Sequence, residues 1–226
     1  MEKPKKPYVH SYSGLKEFEN CPRKFQATKI LKLYPYEESD AARYGNVGHK
    51  ILEDYINEKK DIPPTHMQFK PVVDAVLSKA GRHTAEMSFG VTKELRPCGF
   101  FDKGVWLRGK ADVVTLDDED LKAWIFDWKF GSNKYPDLDQ LTFMSLFVFT
   151  HYSHIRQINS GLLFMLHKDM RKKRMVRDDV ESAWWKVRER LGRIEAAIAS
   201  EQFPPKPSGL CKRWCPVTSC EHNGNH

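Results

Sequence analysis

Three short segments carry residue types that could do hydrolytic chemistry: Arg108-Gly109-Lys110-Ala111-Asp112, Asp127-Trp128-Lys129, and His49 within Gly45-Asn46-Val47-Gly48-His49-Lys50. Alternate residues of an extended strand share a face, which puts Arg108, Lys110 and Asp112 on one side and Gly109, Ala111 and Val113 on the other. Asp127 and Lys129 likewise share a face, with Phe126 and Trp128 behind them. A hairpin turning between Glu119 and Asp120 sets Asp112 beside Asp127. Side-by-side carboxylates repel unless a cation neutralises them, and hard oxygen donors favour Mg²⁺ or Mn²⁺. The fitting chemistry is metal-assisted phosphodiester cleavage. Lys129 would orient the nucleophile or stabilise developing charge, and His49 would add an imidazole to the oxygen shell. A strand Asp-x-Lys is by itself usually a solvated face, and a lone helical His is usually a surface or core residue. What distinguishes these segments is their order, followed by a helix beginning near Gln140.

The elements that must position them follow from hydrophobic period and breakers. Residues 11–30 read as an amphipathic helix interrupted near Pro22, and 68–80 as a further helix after the Ile62-Pro63-Pro64 break. Between them, 45–58 is helical, with Val47, Ile51 and Tyr55 every four residues and His49, Leu52, Glu53 and Ile56 as an adjacent stripe. Segments 86–95, 105–116 and 123–130 are rich in β-branched and aromatic residues between turn signals and read as a three-stranded meander. A helix over 138–151, a strand over 158–166 and a long helix over 179–200 complete the chain. The order implies an α/β fold with a mixed central sheet flanked by helices, in one domain over 1–226. Residues 201–226 form a Cys-rich tail expected to pack back on the N-terminal helix.

The 226 residues hold 37 Lys and Arg against 30 Asp and Glu, a formal charge of +7, so the surface should attract polyanions, nucleic acid first. Ten Lys and Arg against five Asp and Glu fall between 168 and 193. Such a run is usually a solvated face. In a nuclease, Arg171-Lys172-Lys173-Arg174, placed between the last strand and the long helix, could track DNA phosphates, with Arg23 and Lys24 across the cleft and Tyr12 stacking on an unpaired base. No stretch approaches 18 apolar residues and no apolar segment follows the basic start, so a soluble, cytoplasmic protein with no membrane partner is expected. Five cysteines, three of them crowded at 211, 215 and 220, suggest a metal or iron–sulfur site in a reducing compartment rather than disulfides.

In this order the segments resemble the PD-(D/E)XK nuclease superfamily, in particular its RecB-like exonuclease branch. Gly45 to Glu53 is similar to the family's histidine motif, Gly109 to Asp112 to its first acidic motif, and Asp127-Trp128-Lys129 to its acid-x-lysine motif. Asp139-Gln140-Leu141 resembles the start of its glutamine helix, although Met144 stands where a Tyr is usual. The resemblance spans Ser11 to Cys220 and implies a restriction-endonuclease-like core. By that resemblance the metal ligands are His49, Asp112, Asp127 and the Trp128 carbonyl, with Lys129 catalytic and Gln140 beside the site. It also implies a [4Fe-4S] cluster on Cys21, Cys211, Cys215 and Cys220, with a C-x3-C-x4-C tail where the family has C-x2-C-x5-C. Zn²⁺ with His222, or reduced thiols, stay open beside it, and Cys98 is left as a structural thiol. The activity implied is a divalent-metal-dependent DNA exonuclease acting on ends or single strands in recombination, repair or phage DNA metabolism, in a bacterium or phage-infected cell. The competing expectation is a non-catalytic nucleic-acid-binding accessory protein. A homo-oligomer and a recombination partner protein are both compatible with it.

Overall fold

Six strands form one sheet in the order β2-β1-β3-β4-β5-β6. The computed structural model describes residues 7–224. They fall into two compact units, one comprising residues up to 9 with 38–184, the other 10–37 with 185–226.

The first unit holds the sheet. Strands β1 (Arg82–Val91), β3 (Leu107–Asp117) and β4 (Lys122–Lys129) are successive antiparallel neighbours, and the short β2 (Pro97–Cys98) borders β1. Strand β5 (Gln157–Phe164) runs parallel to β4, which requires a crossover, and α5 (Asp139–His151) supplies it. Eight of the thirteen residues of α5 are buried, the pattern of a helix enclosed on most of its circumference. The opposite side of the sheet is covered by α3 (Asp40–Glu58) and α4 (Lys70–Leu77), whose Leu52, Ile56, Val73 and Val76 share a core with Ala85, Val113, Phe126 and Trp128.

Several expectations change. Helix α3 begins five residues before Gly45 because the Ser39 hydroxyl accepts the Ala42 N–H, an N-cap. Its buried stripe is Gly48, Leu52 and Ile56, whereas Val47 is exposed. The segment carrying Arg171-Lys172-Lys173-Arg174 is not a connection: it lies within an edge strand, β6 (Asp169–Val176), antiparallel to β5. Four consecutive cations mask the two-residue period there, leaving only the half-buried Met170 and the buried Met175 to mark it. The alternation expected along β3 also fails. Gly109 abuts Phe147 of α5, yet Val113 belongs to the core on the α3–α4 side. The period breaks between them, where Glu86 of β1, opposite Asp112, has φ of 53° and falls out of the ladder between Ala85↔Val113 and Met87↔Ala111.

The second unit contains α1 (Tyr12–Asn20), α2 (Pro22–Phe25), a π-helical turn (Gln26–Ile30), α6 (Val180–Ser200) from residue 185, and the tail. Ser11 caps α1, and Pro22 opens α2 at a position where its missing N–H costs nothing. Arg190 pairs with both carboxylate oxygens of Glu19 at 2.6 and 2.8 Å. The tail meets the N-terminal segment through Val217 and Cys220 against Ala27, Tyr34 Oη beside Ser219 Oγ, and the Lys206 N–H on Cys21 Sγ.

Two glycines permit the close approaches that build the first unit. A Cβ on Gly48 would lie 2.4 Å from the Phe130 ring, and one on Gly109 would lie 2.6 Å from that of Phe147. In an open helix interior, Gly→Ala gains about 0.5–1 kcal/mol. Here overpacking reverses the sign: Gly48→Ala should destabilise by about 1–3 kcal/mol, and pairing it with Phe130→Leu should recover part of the loss. Urea denaturation of the two variants checks both expectations, and a stabilised Gly48→Ala would remove the steric account.

Candidate active site

The site lies where β3, β4, α3 and α5 meet. The pairing of Val113 with Phe126 brings the next residues, Asp112 and Asp127, alongside each other. Asp112 Oδ2 accepts the Trp128 backbone N–H at 2.7 Å and lies 3.3 Å from His49 Nδ1. Gly48, seated against Phe130, lets α3 deliver His49 there, and the imidazole meets the Phe130 ring at 5.4 Å between centroids. Asp127 and Lys129 are held from α5. Lys129 Nζ is 2.6 Å from Asp127 Oδ2 and donates to Gln140 Oε1 at 2.9 Å, while Gln140 Nε2 donates to Asp127 Oδ1. One amide therefore holds both the acid and the base of the Asp-x-Lys segment.

The electrostatics are those of a site short of positive charge. Burial raises the Asp112 carboxyl well above its ordinary range, and the neighbouring Asp127 adds repulsion. Burial also raises Asp127, with the Lys129 ammonium pulling the other way. Burial lowers His49, favouring the neutral imidazole that can act as a ligand. Asp127 Oδ2 is buried and takes no directed hydrogen bond despite its closeness to Lys129.

Glu86 completes the arrangement and was missed as a site residue in the sequence, where only an acidic residue amid Thr84-Ala85-Glu86-Met87 signals it. Ligand atoms of His49, Glu86 and Asp112 all lie within 4.8 Å of one another, the one such grouping among the described residues. An open cleft of about 300 Å³ beside them is lined by Asn46, His49, Lys50, Glu53 and Glu86. Two carboxylates and an imidazole suit a divalent ion bound largely through oxygen. The left-handed backbone of Glu86 is the kind of local strain that persists where its surroundings hold a functional side chain in place.

A family model of the PD-(D/E)XK nuclease superfamily matches residues 10–220. The chain belongs to this superfamily. A solved structure from Eubacterium rectale, whose designation as an exonuclease is provisional, covers 93% of this chain and 91% of its own at 14% identity, with a TM-score of 0.52. That likeness agrees with the mixed sheet and flanking helices of a restriction-endonuclease-like fold. A second solved structure, SSO0001, covers 99% of this chain and 90% of its own at 12% identity, with a TM-score of 0.42. No curated protein matches.

The basic residues expected to meet DNA make contacts within the protein. On β6, Lys172, Lys173 and Arg174 line a groove beside α4, Lys173 Nζ also reaches Thr142 of α5 at 2.6 Å, and Arg171 pairs with Asp169. Tyr12, Arg23 and Lys24 belong to the second unit, where Arg23 is 3.7 Å from Glu221 and Lys24 is 3.8 Å from Glu17. Trp184 is buried but Trp185 is exposed. Among the described residues, no three cysteine sulfurs come as close together as the His49 group does. Cys211 Sγ accepts the Ser208 N–H, and Cys220 is buried. No described helix is long and apolar enough to cross a membrane.

Calorimetric titration with Mn²⁺ tests the ligand set without turnover. Glu86→Gln should weaken binding by about tenfold or more, the scale at which supporting contacts alone matter at metal sites. An unchanged affinity would exclude Glu86 as a ligand.

Proposed function

We propose that the protein is a divalent-metal-dependent deoxyribonuclease that hydrolyses phosphodiester bonds from DNA ends or along single strands. The convergence of His49, Asp112, Asp127 and Lys129 in a PD-(D/E)XK superfamily member carries this reading. The exonuclease aspect is supported by the designation of the Eubacterium rectale neighbour and by the RecB-like order of the motifs. A role in recombination, repair or phage DNA metabolism follows from the same resemblance.

His49, Glu86 and Asp112 would hold Mg²⁺ or Mn²⁺, with Asp127 and the Trp128 carbonyl as the further ligands the family resemblance supplies. A divalent ion held there would supply Lewis-acid polarisation of a phosphoryl oxygen and a more acidic water. The remaining work belongs to side chains already in place. Gln140 holds Lys129 and Asp127 at a fixed separation, so the ammonium is positioned before substrate arrives. Lys129 can then orient the attacking oxygen and offset charge as it builds on the phosphorus centre, in a setting where burial of the neighbouring carboxylates strengthens each interaction. Neutral His49, with Nδ1 3.3 Å from Asp112 Oδ2, can offer a ring nitrogen as a ligand.

A [4Fe-4S] cluster on Cys21, Cys211, Cys215 and Cys220 is the second cofactor we infer. Its support is the resemblance, together with the placement of all four cysteines in one unit and the contact of Lys206 with Cys21. No step of the reaction is assigned to it. Zn²⁺ and reduced thiols are the alternatives that metal analysis separates.

End-labelled linear DNA with Mg²⁺ or Mn²⁺ decides the main reading. Asp127→Ala and Lys129→Ala should each abolish product while leaving DNA binding largely intact. Wild-type rates in both variants would overturn the assignment, and binding without product in the wild type would make the protein a non-catalytic accessory. For the cluster, anaerobically purified protein should contain iron and labile sulfide, both lowered by Cys215→Ala. Zinc alone, or no metal, would remove it.

A further inference from the structure

The turn between β2 and β3 displays an aromatic pair that the catalytic arrangement does not use. Gly99 N–H donates to Asp102 Oδ2 at 2.6 Å and closes the turn, leaving Phe101 85% exposed. Phe101 stands edge-on to Phe100 with centroids 4.9 Å apart. The Arg108 guanidinium lies 4.8 Å from the centre of the Phe100 ring and 5.8 Å from that of Phe101. A single exposed phenylalanine needs no explanation. Here two rings and a cation are ordered together at a tip that gains little burial from them.

The position of this group relative to the site follows from β3. Gly109 abuts Phe147 of α5, so its neighbours Arg108 and Lys110 project to the opposite face. Lys110 Nζ there lies 3.2 Å from Glu86, one of the three grouped metal-ligating residues. Arg108 stands two residues further along, about 6–7 Å away, and carries the aromatic pair on its far side. Leading away from Glu86 along this face are therefore a lysine, an arginine and a stacking surface. The cation repeat is on the scale of successive phosphates in an extended strand, and Lys110 is more than half exposed. Arg is suited to the dual task, because its guanidinium can lie against a ring and still present N–H groups to a phosphate.

We propose that this face of β3 is a track for the unpaired strand of the substrate: Lys110 and Arg108 hold the phosphates next to the scissile one, and Phe101, backed by Phe100, stacks on a base beyond them. The inference rests on the nuclease reading of the site and adds to it the substrate form, a single strand with at least three ordered nucleotides on one side of the cut. Stacking on a protein aromatic is tolerant of sequence, so the track selects single-stranded character rather than base identity.

The test separates binding from cleavage. With Ca²⁺ in place of Mg²⁺, fluorescence anisotropy of a labelled oligodeoxythymidine should show Phe100→Ala/Phe101→Ala weakening binding about tenfold or more, the range expected for loss of one stacked base. Phe101→Trp should keep the affinity, and its emission should be quenched by the oligonucleotide. In Mg²⁺ the double Ala variant should raise KM with kcat changed little. An abasic residue walked along the strand should find one position that weakens wild-type binding and has no further effect in the double Ala variant. Wild-type affinity and KM in a folded double variant, or an unquenched Phe101→Trp, would overturn the track. Wild-type binding and a quenched Phe101→Trp variant, with no cleavage by the wild type, would leave the track standing and overturn the nuclease reading instead.

Discussion

Two carboxylates forced together at the junction of β3 and β4 are the constraint around which the first unit is arranged. Asp112 and Asp127 lose hydration through burial, and neighbouring carboxylates, Asp127 and Glu86 beside Asp112 and Glu86 beside Asp127, raise the cost of ionising them. Every nearby polar group answers that cost. The Trp128 N–H and His49 serve Asp112, Lys129 and Gln140 serve Asp127, and Glu86 enters from the third strand to make a grouping that calls for a cation. A site of this kind is poorly built for stability and well built to take up positive charge, in keeping with a family whose chemistry is phosphodiester cleavage.

The supporting scaffold is largely a matter of approach distances. Histidine 49 reaches the carboxylates because Gly48 lets α3 rest on the Phe130 ring, and the acidic strand lies close to α5 because Gly109 leaves room for Phe147. The glycines in the two motif-like segments therefore have packing roles, and they place chemistry by omitting a methyl group. Phe130 links the parts: its ring touches His49, Tyr44 and Phe69, so α3, the end of β4 and the segment entering α4 form one aromatic cluster behind the imidazole.

The positive charge of the chain is more structural than its count suggests. Arg177 donates to the carbonyls of Phe149 and Tyr152 at the end of α5, Arg190 grips Glu19, and Arg193 pairs with Glu189. On β6, Lys172, Lys173 and Arg174 line the groove beside α4, Lys173 also bonds Thr142 of α5, and Arg171 pairs with Asp169. A net charge of +7 identifies a class of partner but does not say which cations meet it, since a guanidinium that caps a helix and one that holds a phosphate look alike in composition.

Local chemistry alone determined a good deal: the three-stranded meander, the crossover helix, and the facing of Asp112 and Asp127. Their signals are short-range, lying in the two-residue period, the turn centred on Glu119 and Asp120, and the apolar run of α5. Three things came only from the folded chain. Strand β6 was illegible because consecutive cations conceal its alternation, and pairing with β5 decides it. Glu86 joined the site only when β1 lay against β3, at a backbone break that no local preference favours for glutamate. The aromatic pair at Phe100 and Phe101 carries no local signal of its own, and only the folded turn sets it against Arg108 of β3. In each case residues far apart in sequence had to share a strand edge or a face, and that is set by long-range pairing rather than by neighbours along the chain.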